Sequence, residues 1–114
     1  MSASKEILHR PVAASDCPVE SAVAVIGGRW KPIILFYLVE NALRFFELKR
    51  AIPNVSERML TRSLKNLERD GLIQRAVFAE VSVRAEYSLT SSGKGLIPVR
   101  NAMSQSGQEH WNLK

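Results

Sequence analysis

Apolar residues along the chain recur first with a helical period and later with a period of two. From "CPVESAVAVIGG", Val19, Ala22, Val23 and Ile26 recur at helical spacing, Pro18 suits a first helical position, and Gly27 and Gly28 end the run. Pro32 opens a second helix, "PIILFYLVE", whose apolar residues surround it, which predicts a place at the centre of a small core. "RFFELKRAI" sets Phe45, Leu48 and Ile52 at i, i+3 and i+7, turns Glu47, Lys49 and Arg50 outward, and stops at Pro53. "PNV" then leaves a connection of three residues before Ser56, whose side chain can cap a fourth helix closed by Gly71. Two helices joined by so short a turn have the spacing of a helix-turn-helix.

After Gly71 the period changes. "LIQRAVFA" and "RAEYSL" are rich in β-branched and aromatic residues, with Ala85, Tyr87 and Leu89 in clean alternation, and can pair as a hairpin around "EVSV". No Gly, Asn or Pro stands between them, so the strand ends stay open. "TSSG" offers caps for a last helix reaching Trp111, with Leu96, Val99 and Met103 on one side. The predicted fold is mainly α with a small β-hairpin, a winged helix-turn-helix with additional helices at both ends. Residues 1–15 show no clear periodicity and are expected to form a flexible N-terminal segment, with one domain over residues 16–114.

Composition narrows the setting. At 114 residues there is room for one modest core, and 46% hydrophobic with 24% charged residues fits a folded globular chain. The longest apolar run, Pro32 to Val39, is too short to cross a bilayer, and "MSASKEILHR" lacks the apolar centre of a secretory signal. A cytoplasmic protein with no membrane partner is expected. The single cysteine, Cys17, fits a reducing compartment.

Charge adds more. The net charge is +5, and the stretch from Arg29 to Arg75 carries ten Lys/Arg against five Asp/Glu, so the middle of the chain supplies the whole excess. Localised positive charge points to a polyanion. Its sharpest concentration lies in "SERMLTRSLKNLERDG". At about 100° per residue, Leu64 and Leu67 fall within about 40° of Leu60, while Arg58, Arg62, Lys65 and Arg69 cluster about 140° to 200° away. One face therefore packs and the other offers a cationic ridge roughly 16 Å long, which a B-DNA major groove can receive. Ser56, Arg58, Met59, Thr61, Arg62 and Lys65, near the helix start, are the candidates for bases or flanking phosphates, whereas Arg69 is expected to meet backbone or solvent. A solvated face that binds nothing is the competing reading. The turn before the helix and the hairpin after it favour double-stranded DNA.

The run from "CPVESAVAVIGGRWKPIILFYL" through "RFFELKRAIPNVSERMLTRSLKNLERDGLIQR" to "VRAEYSLTSSGKGL" resembles the HxlR-type transcriptional regulators, a winged-helix branch close to the MarR regulators. The resemblance covers about residues 16–97, and "GGRWKP", "RFFEL", "LTRSLKNLERDGL" and "EYSLT..G" are its specific motifs. It implies a homodimer whose recognition helices, here Ser56 to Asp70, enter two major grooves, and a wing, here Val77 to Ala85, that approaches the neighbouring minor groove. Family members often carry prolines at the wing tip where this chain reads "SVR", a departure that bears on wing rigidity and contacts.

Lys31 and Arg44, at helix starts, and Arg75 and Arg84, on the hairpin, are further DNA candidates, with Arg84 and Lys31 ranked first. Ordinary surface charge is the alternative for all four. Cys17 stands before Pro18 at the start of a helix, a place that favours the reactive thiolate. The resemblance implies that this "CP" cysteine senses oxidants or electrophiles. A bridge to the other subunit, a bridge to a small thiol, or alkylation are its open options, and an inert thiol is the bland alternative. The last helix exceeds what capping a core needs. Val99, Met103 and Trp111, with Val23 and Ile26 of the first helix, are expected to form a symmetric dimer interface, the alternative being a helix folded back on its own domain. A dimer sets two recognition helices about one DNA turn apart, ~34 Å, and implies an inverted-repeat operator.

Rival classes fit less well. His9 and His110 lie near opposite ends, no Cys/His spacing suits zinc, and neither a phosphate loop nor a nucleophile elbow is present, so neither an enzyme nor a metal or cofactor site is expected. A protein-interaction module, such as an antirepressor, predicts weak, salt-insensitive behaviour toward DNA, and an RNA reader needs an aromatic stacking platform that this sequence lacks. The expectation is a dimeric, sequence-specific DNA-binding regulator acting as a repressor. Blocking a promoter needs only occupancy. The sequence names no operator and no effector.

Overall fold

The computed structural model describes residues 17–79 and 84–111. The segment expected to be flexible, residues 1–15, and the centre of the wing, "EVSV", lie outside the described residues. Cys17 directly precedes α1 (Pro18–Ile26), and after Gly28, at φ 89°, α2 (Lys31–Leu38) leaves at 82° to it. α3 (Phe45–Ala51) and α4 (Glu57–Arg69) follow, then β1 (Ile73–Phe78), β2 (Arg84–Leu89), a single turn α5 (Ser91–Lys94) and α6 (Ile97–His110).

The core sits where α2, α3 and α4 meet the base of the hairpin. Ile34, Leu48, Leu60, Leu64 and Leu67 are essentially inaccessible, and Leu72, Ile73 and Leu89 close the end of the cluster. Burying each of these side chains contributes roughly 1.5–3 kcal/mol. Ser63 shares the buried face of α4, where its small side chain lets the helix approach its neighbours.

The strands pair antiparallel from Ile73↔Leu89 to Phe78↔Arg84. Beyond Ile73 every β1 residue is exposed, so the hairpin leaves the core and stands out as a wing. Leu43 and Tyr87 exchange both backbone hydrogen bonds, at 3.0 and 2.8 Å, and add a single rung of a third strand. No single helix among the described residues is long and apolar enough to cross a membrane.

Four expectations change. The turn between α3 and α4 runs from Ile52 to Ser56 rather than over three residues, because Ile52 is already extended; buried Ile52 and Val55 anchor it and Asn54 takes φ 67°, which Asn tolerates. α2 is two-sided rather than buried all round, with Ile34, Leu35 and Leu38 inside and Phe36 and Val39 outside. The single last helix is broken into α5 and α6. Pro98 has no N–H for the Lys94 carbonyl, and the chain tightens instead through the Leu96 amide donating to Gly93 O at 3.1 Å. Finally, Ile26, expected at a dimer interface with Val23, is 8% exposed and packs within the hydrophobic core of the chain.

Candidate nucleic-acid interface

The sequence starts and stops α4 by local chemistry. Ser56 Oγ accepts a hydrogen bond from the Met59 amide at 3.1 Å, fixing the first turn. At the other end Gly71, at φ 77°, donates to Glu68 O at 3.0 Å and Leu72 donates to Leu67 O at 2.9 Å. These two bonds form a Schellman ending that only a left-handed residue at position 71 permits. Between them Leu60, Leu64 and Leu67 are at most 1% exposed, while Arg58, Thr61, Arg62, Lys65 and Arg69 are exposed and Met59 sits at the edge. The helix is held by one side and cationic on the other. Ser56, Arg58, Met59, Thr61, Arg62 and Lys65 are all exposed, with Arg58, Arg62 and Lys65 opposite the leucines and Met59 and Thr61 on either flank.

Arg69 departs from its neighbours. Its Nε lies 3.3 Å from Asp70 Oδ1, which tethers the guanidinium to the end of the helix. A carboxylate one residue past the stripe is visible in the sequence, but its reach back to Arg69 is not.

The four outlying cations divide against the expected ranking. Lys31 Nζ donates to Ala24 O at 3.3 Å and ties α2 to the last turn of α1. Arg84 lies on the wing with its guanidinium 4.6 Å from the Phe78 ring centroid and its Nε 3.6 Å from Glu86 Oε2. Arg44 and Arg75 are exposed. The amide of Arg44, however, donates to Glu47 Oε1 at 2.7 Å, so a carboxylate already occupies the start of α3 where a phosphate was expected. Phe78, the support of Arg84, was missed by sequence reading; its only signal is the hairpin register that sets the two opposite each other.

A second surface lies away from α4. An open, mainly apolar cavity of about 940 Å³ runs between α1, α2 and α6, lined by Val19, Val23, Phe36, Val39, Val99 and Met103 among others. Val19, Val23, Phe36, Met103 and, further along α6, Trp111 are substantially exposed, and α6 buries no residue of its own. Arg100 of α6, another lining residue, holds its guanidinium 4.1 Å from the ring centroid of Phe36 in α2. Val23, Phe36, Val99, Met103 and Trp111 are exposed, and Arg100 is half-buried beside Phe36. Cys17 is exposed, and the residue that follows it, Pro18, lines this cavity. No group of three or more metal-ligating side chains occurs among the described residues.

A wing beside a helix with one buried and one cationic face is the layout of a DNA-binding helix-turn-helix, and an HxlR-like helix-turn-helix family model matches residues 25–114. The chain belongs to that family. An HTH-type transcriptional regulator of Methanothermobacter thermautotrophicus, itself uncharacterized, is 49% identical over 92 residues, covering 81% of this chain and 70% of the relative. Among solved structures, the redox regulator HypR in its reduced form superposes with a TM-score of 0.80 at 38% identity, covering 85% of this chain and 96% of HypR. The reduced form of the transcriptional regulator YodB from B. subtilis gives 0.77 at 33% identity, covering 86% and 97%. This HxlR-type chain is therefore a winged helix-turn-helix transcriptional regulator and not an enzyme.

Proposed function

We propose that this HxlR-type regulator is a cytoplasmic homodimer that binds an inverted-repeat DNA operator and represses by occupying it. The observation that carries the reading is the two-sidedness of α4: Leu60, Leu64 and Leu67 hold the helix, and Arg58, Arg62 and Lys65 remain free to meet phosphates and guanines. The exposed apolar residues of α1, α2 and α6 support a two-fold dimer, because patches of this kind on a small chain mark an interface. α4 lies outside that face, so dimerisation leaves both stripes open to DNA.

Cys17 is the proposed sensor. It is exposed next to Pro18, which lines the apolar cavity, and two of the structural relatives are a redox regulator and a regulator solved in a reduced form. Modification there alters how the two subunits seat against each other and so the distance between the recognition helices. A gel shift on fragments enriched from host genomic DNA tests the DNA reading. Arg62→Ala with Lys65→Ala is expected to weaken binding at least tenfold, and unchanged affinity removes both residues from the contact list.

A further inference from the structure

One residue joins the end of the recognition helix to the start of the helices that carry the dimer face. Thr90 follows β2 directly and makes four hydrogen bonds, one of them its carbonyl accepting from the Lys94 amide at 2.9 Å within the first turn of α5. Its amide donates to Leu72 O at 3.0 Å, its Oγ1 donates to Gly71 O at 2.5 Å, and the same Oγ1 accepts from the Gly93 amide at 3.1 Å as the cap of α5. Gly71 and Leu72 are the two residues that terminate α4. Gly93 is buried against the same Leu72 carbonyl so closely that a Cβ at position 93 would collide with it. Gly95 and Leu96 alone separate α5 from α6, and Leu96 and Ile97 pack on the core. The recognition helix and the dimer helix therefore share a hinge with little slack.

We infer that Thr90 is a positioning residue for operator spacing: it sets the angle between α4 and α6 and so the separation of the two half-sites that a dimer can bind together. The inference rests on the dimeric DNA-binding reading above. Lever geometry makes it quantitative. At ~1.5 Å per residue α6 is roughly 21 Å long, so a tilt of ~10° at its root moves its far end by ~3.5 Å, about the ~3.4 Å rise of one base pair. Two such helices in a symmetric dimer double the displacement. A junction free to rock by that amount tolerates neighbouring spacers; a clamped one selects a single spacer.

The test uses the full chain and duplexes carrying the half-sites of a fragment it enriches from host DNA, at the natural spacer and at one base pair shorter and longer, with binding followed by fluorescence anisotropy. Wild type is expected to favour the natural spacer about tenfold over each neighbour. Thr90→Val keeps the branched shape, loses both hydroxyl bonds, and is expected to bring the three affinities within about threefold. Thr90→Asp retains an acceptor for the Gly93 amide, and with it the α5 cap, but cannot donate to Gly71 O; it relaxes the ratio likewise and decides the matter if Thr90→Val does not fold. Thr90→Ser keeps the hydroxyl and is expected to hold the wild-type ratio, while Lys65→Ala lowers affinity at all three spacers without changing it. Folded, dimeric Thr90→Val or Thr90→Asp with the wild-type ratio overturns the inference, as does a wild type indifferent to spacing. A wild type that binds none of the duplexes overturns the DNA-binding reading instead.

Discussion

Leu64 and Lys65 are neighbours in the chain with opposite surroundings: Leu64 is 1% exposed at the heart of the core, and Lys65 stands in the open on the cationic side of α4. The pair separates what holds the recognition helix from what it presents. Leu64→Ala is expected to cost about 3 kcal/mol of unfolding free energy, from lost burial and the cavity left behind. Lys65→Ala is expected to melt within about 0.5 kcal/mol of wild type and to bind DNA less tightly. Denaturant unfolding and anisotropy on the same two proteins check both halves. Equal stability losses would contradict the two-sided helix.

The cap is a smaller effect with a clear sign. Ser56→Ala removes the acceptor for the Met59 amide, and its expected cost is about 1 kcal/mol. Thermal melting should drop by a few degrees, and Ser56→Asp should restore most of the loss, since a carboxylate accepts the same bond and complements the helix dipole.

These helix signals were legible in the sequence because they are local. Leucine spacing, a capping serine and a closing glycine each act within one or two turns, and α4 matches them. The hairpin was legible in outline from alternation alone. What escaped depends on contacts between distant parts of the chain. The run of apolar residues in α2 does not say that Phe36 faces away from the core, because the residues that line the cavity with it, Val23 and Met103 among them, come from either end of the domain. Ile26 shares the periodicity of Val23 but turns inward. Lys31 ranks with Arg84 above the other outlying cations by its position at a helix start, yet its ammonium donates to the Ala24 carbonyl, which the 82° turn between α1 and α2 brings near. Pro98 was a local signal available in the sequence, and the break at Gly95 and Leu96 follows from it.

The apolar face leads to a prediction about assembly. Wild type is expected to migrate in light scattering at twice the 12.8 kDa chain mass. Met103→Asp, which sets a charge on an exposed part of that face, is expected to shift the population toward the single-chain mass and to weaken operator binding. Lys65→Ala should remain dimeric. A Met103→Asp protein that stays fully dimeric moves the interface elsewhere.

Cys17 leads to a redox prediction. Diamide with glutathione joins the Cys17 thiol to the glutathione thiol as a disulfide, and diamide takes up the two electrons and two protons. Operator binding by wild type is expected to fall at least fivefold and to recover with dithiothreitol, while Cys17→Ser should not respond. An equal response of both proteins excludes Cys17 as the sensor.

The most direct test of the account is the salt dependence of operator binding. Each phosphate that a cation neutralises steepens the plot of log affinity against log salt by about 0.9. Removing Arg58, Arg62 and Lys65 together is expected to flatten that slope by between two and three while leaving the melting curve and dimer mass unchanged. A triple variant with the wild-type slope, folded and dimeric, would show that the exposed side of α4 does not lie against DNA.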